Sequence, residues 1–162
     1  MIRSTRADRR ALWKAIDMEM EMRPTKVGVL PCSGEGEPEG TITRNAVRLV
    51  MEKYRPGLVV SLCLPLYLAG DGAEREFAKK VPVITVDGCG KSCARLATEK
   101  FSGEVESFLD VRELLKQWGV TDKLSRSHPG KLEEELTERL AQEIVKLVDH
   151  QVEEGKVEVE SR

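Results

Sequence analysis

The sequence predicts a three-layer α/β domain, a mostly parallel sheet with helices on both faces, and three observations carry that expectation. Short, near-continuous apolar runs recur at 27–30, 58–62 and 81–86, the mark of strands buried on both sides. Stretches of helical period stand between them, so that strand and helix alternate. The chain has 162 residues, 40% hydrophobic and 33% charged, which suits one domain with a core of its own. Right-handed crossovers between parallel strands then give a flavodoxin- or Rossmann-like sheet.

Residues 1–24 show no clean period and are expected to form an N-terminal arm ending at Pro24. Within it Met18, Met20 and Met22 alternate with acids, as in a short edge strand. The domain proper is expected over 25–155. Val27-Gly28-Val29-Leu30 reads as a first strand, closed by Pro31-Cys32-Ser33-Gly34. Thr41 is the expected N-cap of the next helix, with Ala46, Val47, Val50 and Met51 on its apolar face and Pro56-Gly57 as its stop. Leu58 to Leu62 is the second strand and delivers Cys63. A helix over 71–80 and a third strand over 81–86 follow, then a helix from Ala94 to Lys100. A fourth strand falls within 105–109, followed by a helix from Val111 to Trp118 that Gly119 ends. From Lys131 to about Glu154 runs a long helix with Leu132, Leu136, Leu140, Ile144 and Leu147 along one stripe. That helix either covers the sheet or faces a second copy of the chain, a homo-oligomer. Residues 156–162 read as a tail, either a short strand or frayed.

Charge and hydropathy narrow the function classes. Lys and Arg number 26 against 28 Asp and Glu, a net charge of -2, so no basic excess exists to track a nucleic-acid backbone. The first 22 residues are interrupted by charges and predict no secretory signal, and no apolar run of about 18 residues predicts a membrane span. The expected location is the cytoplasm, with neither nucleic acid nor membrane as partner.

Four cysteines in a reducing compartment are not a disulfide framework. Their places are informative. Cys32 follows the first strand, Cys63 the second and Cys89 the third, while Cys93 stands at the start of the next helix. In a parallel sheet those positions share one edge, the edge at which such folds bind ligands. Four thiolates suit a tetrahedral zinc ion, and Gly88 and Gly90 let the chain curl around Cys89. The helix start and Lys91 offset part of the thiolate charge. An iron–sulfur cluster accepts the same four ligands. Two other readings stand beside the metal: packed inert thiols, and a thiol- or zinc-dependent enzyme using Cys89 or Cys93.

The stretch Val86-Asp87-Gly88-Cys89-Gly90-Lys91-Ser92-Cys93-Ala94-Arg95 resembles the signature of the DGC domain family. Pro31-Cys32-Ser33-Gly34 and Leu62-Cys63-Leu64-Pro65 resemble that family's two earlier cysteine segments, and the likeness covers roughly residues 26–120. The resemblance implies zinc binding by four chelating cysteines, Cys32, Cys63, Cys89 and Cys93, and implies no reaction.

Other features have simpler readings. Gly88 to Ser92 looks like the end of a phosphate-binding loop, but that pattern needs a glycine at position 85, where Thr85 stands. Asp87 reads as a turn residue that accepts amide hydrogen bonds, in preference to a general base. His128 and His150 read as surface residues. The Gly- and Glu-rich loop over 33–40 is either a lid or a plain surface loop, and Glu35, Glu37 and Glu39 would make it repel anions unless a cation were present.

Overall fold

The computed structural model describes residues 24–158 apart from Ser33, Glu35 and Asp71, so the N-terminal arm with its alternating methionines lies outside the described residues. Four strands form one all-parallel sheet: β1 (Val27–Pro31), β2 (Val59–Val60), β3 (Val83–Asp87) and β4 (Ser107–Asp110), in the order β2-β1-β3-β4. The expected α/β architecture is therefore present, in the order of a doubly wound sheet. The strands are shifted from the sequence reading at their ends. β2 keeps only two of its five expected residues, and β3 begins at Val83 rather than Val81.

Alternation along the strands splits the core in two. Val27, Val29, Ile84 and Val86 point to one face, where α1 (Pro38–Leu49), α6 (Val111–Gln117) and α7 (Lys131–Glu153) cover them. Leu30 and Val83 point to the other, beneath α5 (Cys93–Phe101) and the short turns α2 (Leu66–Ala69), α3 (Gly72–Arg75) and α4 (Phe77–Lys80). The expected single helix over 71–80 is thus broken into turns. Phe77 and Ala78 pack on the second core, as does Tyr67, which is fully buried.

α1 starts three residues before the expected Thr41 cap. Pro38 occupies its first turn, where a missing amide hydrogen costs nothing, and Glu37 is its N-cap. A π-helical turn over Val50–Tyr54 carries it to its end at Arg55. There Arg55 pairs through Nε and Nη2 with both carboxylate oxygens of Asp149, fastening the turn to α7. α7 lies against α1 with Leu136, Leu140, Ile144 and Val148 buried, while Leu132 and Leu147 of the expected stripe are half-buried. Its role within the chain is to cover the sheet. Val157 packs into the same core and the Glu158 amide donates to Pro24 O at 3.0 Å, so the tail is held at least that far. Among the described residues no helix is long and apolar enough to cross a membrane.

Candidate metal centre

The chain leaves β1 towards α1 on one face and β3 towards α5 on the other. Two neighbouring strands whose exits diverge leave a crevice between them at their carboxyl ends. A cavity of about 270 Å³ occupies that place. Cys32, Cys89 and Cys93 all line it, with Asp87, Lys91 and Glu37.

Cys32 is seated first. Its amide donates to Val86 O at 2.9 Å, continuing the β1–β3 ladder one residue past the strand, and the Gly88 amide donates to its Sγ at 3.2 Å. Only 8% of the residue is exposed. Burial pushes its thiol pKa up, and the Gly88 hydrogen bond opposes that, while Asp87, Cys93 and Cys89 push the same way as burial. Cys89 is half-buried and Cys93 exposed, both within electrostatic reach of Cys32.

The walls are backbone. A Cβ on Gly34 would stand 2.4 Å from Gly40 Cα, and one on Gly88 would stand 2.7 Å from Gly40 N. The loop after β1, the first turn of α1 and the loop after β3 therefore meet main chain to main chain, and side chains there would hold them apart.

Asp87 does something the sequence reading placed one step too early. Its carboxylate serves the following helix rather than its own turn: Oδ1 accepts from the Ala94 amide at 2.7 Å and Oδ2 from the Arg95 amide at 3.1 Å. These are the second and third amides of α5, the donors that an N-cap side chain satisfies. Ser92, the nominal cap, sits at φ 50 and ψ 47 and makes no side-chain cap bond. Asp87 is 3% exposed. Burial pushes its carboxyl pKa up, with the two amides pulling the other way. The result holds Cys93, the first residue of α5, at the cavity.

Arg112, which sequence reasoning missed, sits on α6 and forks across the start of α1. Its Nε donates to Glu39 Oε1 and its Nη2 to Glu37 Oε2, each at 3.0 Å. Glu39 above all holds the guanidinium pKa up, with Glu37 and Cys89 adding, which places Arg112 in electrostatic reach of the Cys89 thiol. No local pattern signals a residue that acts across 73 positions of chain.

Cys63 is placed differently from the other three. It is exposed and is not among the residues lining the cavity, although Leu64 is. β2 lies on the far side of β1 from β3, so its end stands about two strand spacings, roughly 10 Å, from the end of β3. All four cysteines are free thiols. Among the described residues no three His, Cys, Asp or Glu side chains are set around one point as a finished metal cage. The donor set itself suits a thiophilic ion. Three sulfurs from two stretches of chain, the end of β1 and the β3–α5 connection, line one cavity. His128 is exposed, away from these thiols, and His150 pairs with Glu154 on α7.

A doubly wound parallel sheet with free thiols gathered at its switch point defines a small α/β cysteine-cluster protein. More particularly, the chain belongs to the DGC domain family, whose family model matches residues 28–148 and so most of the chain. The match runs past residue 120, where the sequence likeness ends, into α7, consistent with that helix being part of the same core. No curated protein and no solved structure gives a significant match. Family membership supports a metal-binding role.

Proposed function

We propose that this protein is a cytoplasmic zinc-binding protein that holds its ion at the crevice between β1 and β3, with Cys32, Cys89 and Cys93 as thiolate ligands. The observation that carries the reading is that these three thiols, one after β1 and two from the β3–α5 connection, line one cavity at the ligand-binding edge of the sheet. Zinc is favoured by an all-thiol set in a reducing compartment, and the Gly88 amide aimed at Cys32 Sγ is the kind of outer contact that steadies a thiolate ligand. Lys91 at the cavity wall and Arg112 beside Cys89 offset the negative charge that three thiolates bring. Bound there, zinc would order the loops or act as a Lewis acid. Cys63 is the fourth ligand that the sequence suggests, and to serve it would have to swing in from the exposed end of β2.

A second reading rests on Cys93. It is the first residue of α5, exposed and at the cavity wall, where a small reagent or substrate can reach it. In that case the protein is a thiol enzyme and needs no metal. Elemental analysis of anaerobically purified full-length protein separates the readings. About one zinc per chain without acid-labile sulfide supports the zinc site, iron with sulfide supports a cluster, and folded metal-free protein leaves the thiol enzyme.

A further inference from the structure

We propose that Arg112 is the positioning residue of the crevice: its ion pair with Glu39 holds the first turn of α1 against the loops that carry Cys32 and Cys89. The proposal concerns the site described above and holds whether that crevice takes a metal or uses a bare thiol. Packing fixes α1 from Ile42 onward, where Ile42, Ala46 and Val47 are buried in the core. The turn ahead of them is tied differently. Gly40 meets Gly34 and Gly88 main chain to main chain, with no room for a Cβ at any of the three. Few atoms share such a contact, and dispersion between them is weak. The Thr41 hydroxyl donates to Arg126 O at 3.3 Å, but this bond is exposed and contributes little.

Glu39 supplies the stronger tie. Its side chain is 13% exposed, its Oε1 accepts from Arg112 Nε at 3.0 Å, and its Oε2 is buried with no partner among the described residues. Arg112 is therefore the counter-ion of a nearly enclosed carboxylate. Glu37 is the lesser partner, since its side chain is 48% exposed and water competes for its bond to Arg112 Nη2. Without the guanidinium, Glu39 becomes an unpaired buried charge, among the costliest groups a fold can hold. It then swings to solvent and draws the first turn of α1 away from Gly34 and Gly88. Gly88 is the residue whose amide donates to Cys32 Sγ, so the seat of the buried thiol loosens with it.

The test uses full-length protein freed of metal by a chelator: wild type, Arg112→Met, and Arg112→Met combined with Glu39→Gln. Alkylation of Cys32 is followed by peptide mass spectrometry. Exchange of the Gly88 amide is compared with that of the Ala94 and Arg95 amides, which Asp87 holds. Expected in Arg112→Met is Cys32 labelling faster by about tenfold or more, with Gly88 exchange faster and the two α5 amides unchanged. Losing a cation from the site would by itself disfavour thiolates and slow alkylation, so a rise in rate reports access rather than charge. Adding Glu39→Gln removes the stranded charge and should bring both readouts most of the way back to wild type. Wild-type labelling in Arg112→Met, or no rescue by Glu39→Gln, overturns the proposal. Gly88, Ala94 and Arg95 exchanging faster together also overturns it, since that pattern reports a global loss of stability. If Arg112→Met does not fold, the double variant carries the test: folded protein with Cys32 protected supports the ion pair as the tie, and any other result overturns it. None of these outcomes touches the zinc reading, which elemental analysis decides separately.

Discussion

Replacing Asp87 tests whether a buried carboxylate, rather than the local helix signal, starts α5 and so positions Cys93. In Asp87→Ala the amides of Ala94 and Arg95 lose acceptors at 2.7 and 3.1 Å inside a site that is 3% exposed. Each hydrogen bond to a charged group contributes about 1.5 kcal/mol, so the two together contribute about 3 kcal/mol. Burial of the carboxylate, the same effect that pushes its pKa up, takes back part of that, leaving a net loss of about 2 kcal/mol on truncation. For a chain of this size that corresponds to a fall in Tm of roughly 4–8 °C. Asp87→Asn keeps one acceptor oxygen and removes the buried charge, so its loss should be about half as large. Thermal melting of the metal-free protein by circular dichroism measures both, with amide exchange at Ala94 and Arg95 as the local readout. If Asp87→Ala melts with the wild type and those two amides stay protected, the carboxylate does not hold α5, and the account of how Cys93 reaches the cavity fails.

Gly88→Ala should cost about 1–3 kcal/mol, because the new Cβ would lie 2.7 Å from Gly40 N, a backbone atom that cannot step aside; denaturant titration checks this. At the start of α7 Glu133 accepts the Ser125 and Gly130 amides at 2.6 and 2.8 Å, and these hold its carboxyl below the usual range. A depressed folded-state pKa stabilises above the ordinary carboxylate value and is lost as pH falls through the folded value. Glu133→Gln should therefore melt below the wild type by about 1 kcal/mol at neutral pH, and the gap should close under acid titration below about pH 4. In metal-free protein a limiting alkylating reagent should label Cys63 and Cys93 first and Cys32 last, since Cys32 is buried with a raised thiol pKa; peptide mass spectrometry reads the order.

Much of the fold was legible because its signals are local. β1 and β3 are apolar runs buried on both faces, and α7 announces itself through a repeated stripe, so periodicity alone finds them. The signals weaken where neighbours decide. Leu58 to Leu62 looks like a strand as strong as β1, yet only Val59 and Val60 pair, because β2 sits at the edge of the sheet with β1 as its one partner. The stretch 71–80 has the composition of one helix, but Phe77 and Ala78 are drawn into the second core and the helix breaks into turns. At the start of α1, Pro38 was the better marker than Thr41, and fixed backbone geometry explains why.

The sequence by itself determined that this chain is an α/β protein with its cysteines at the carboxyl edge of a parallel sheet. That follows from alternation of strand and helix, a property read along the chain. Only the tertiary structure decided which of those cysteines share a cavity. Strand order placed β1 beside β3 and sent β2 to the outside, so Cys32, Cys89 and Cys93 line one cavity and Cys63 is not among its described lining residues. It also brought Arg112 to Glu37 across 75 residues and Asp87 to the amides of α5. Such contacts depend on which strands pair and which faces their helices cover, and the free energy that selects those pairings comes from packing the whole core.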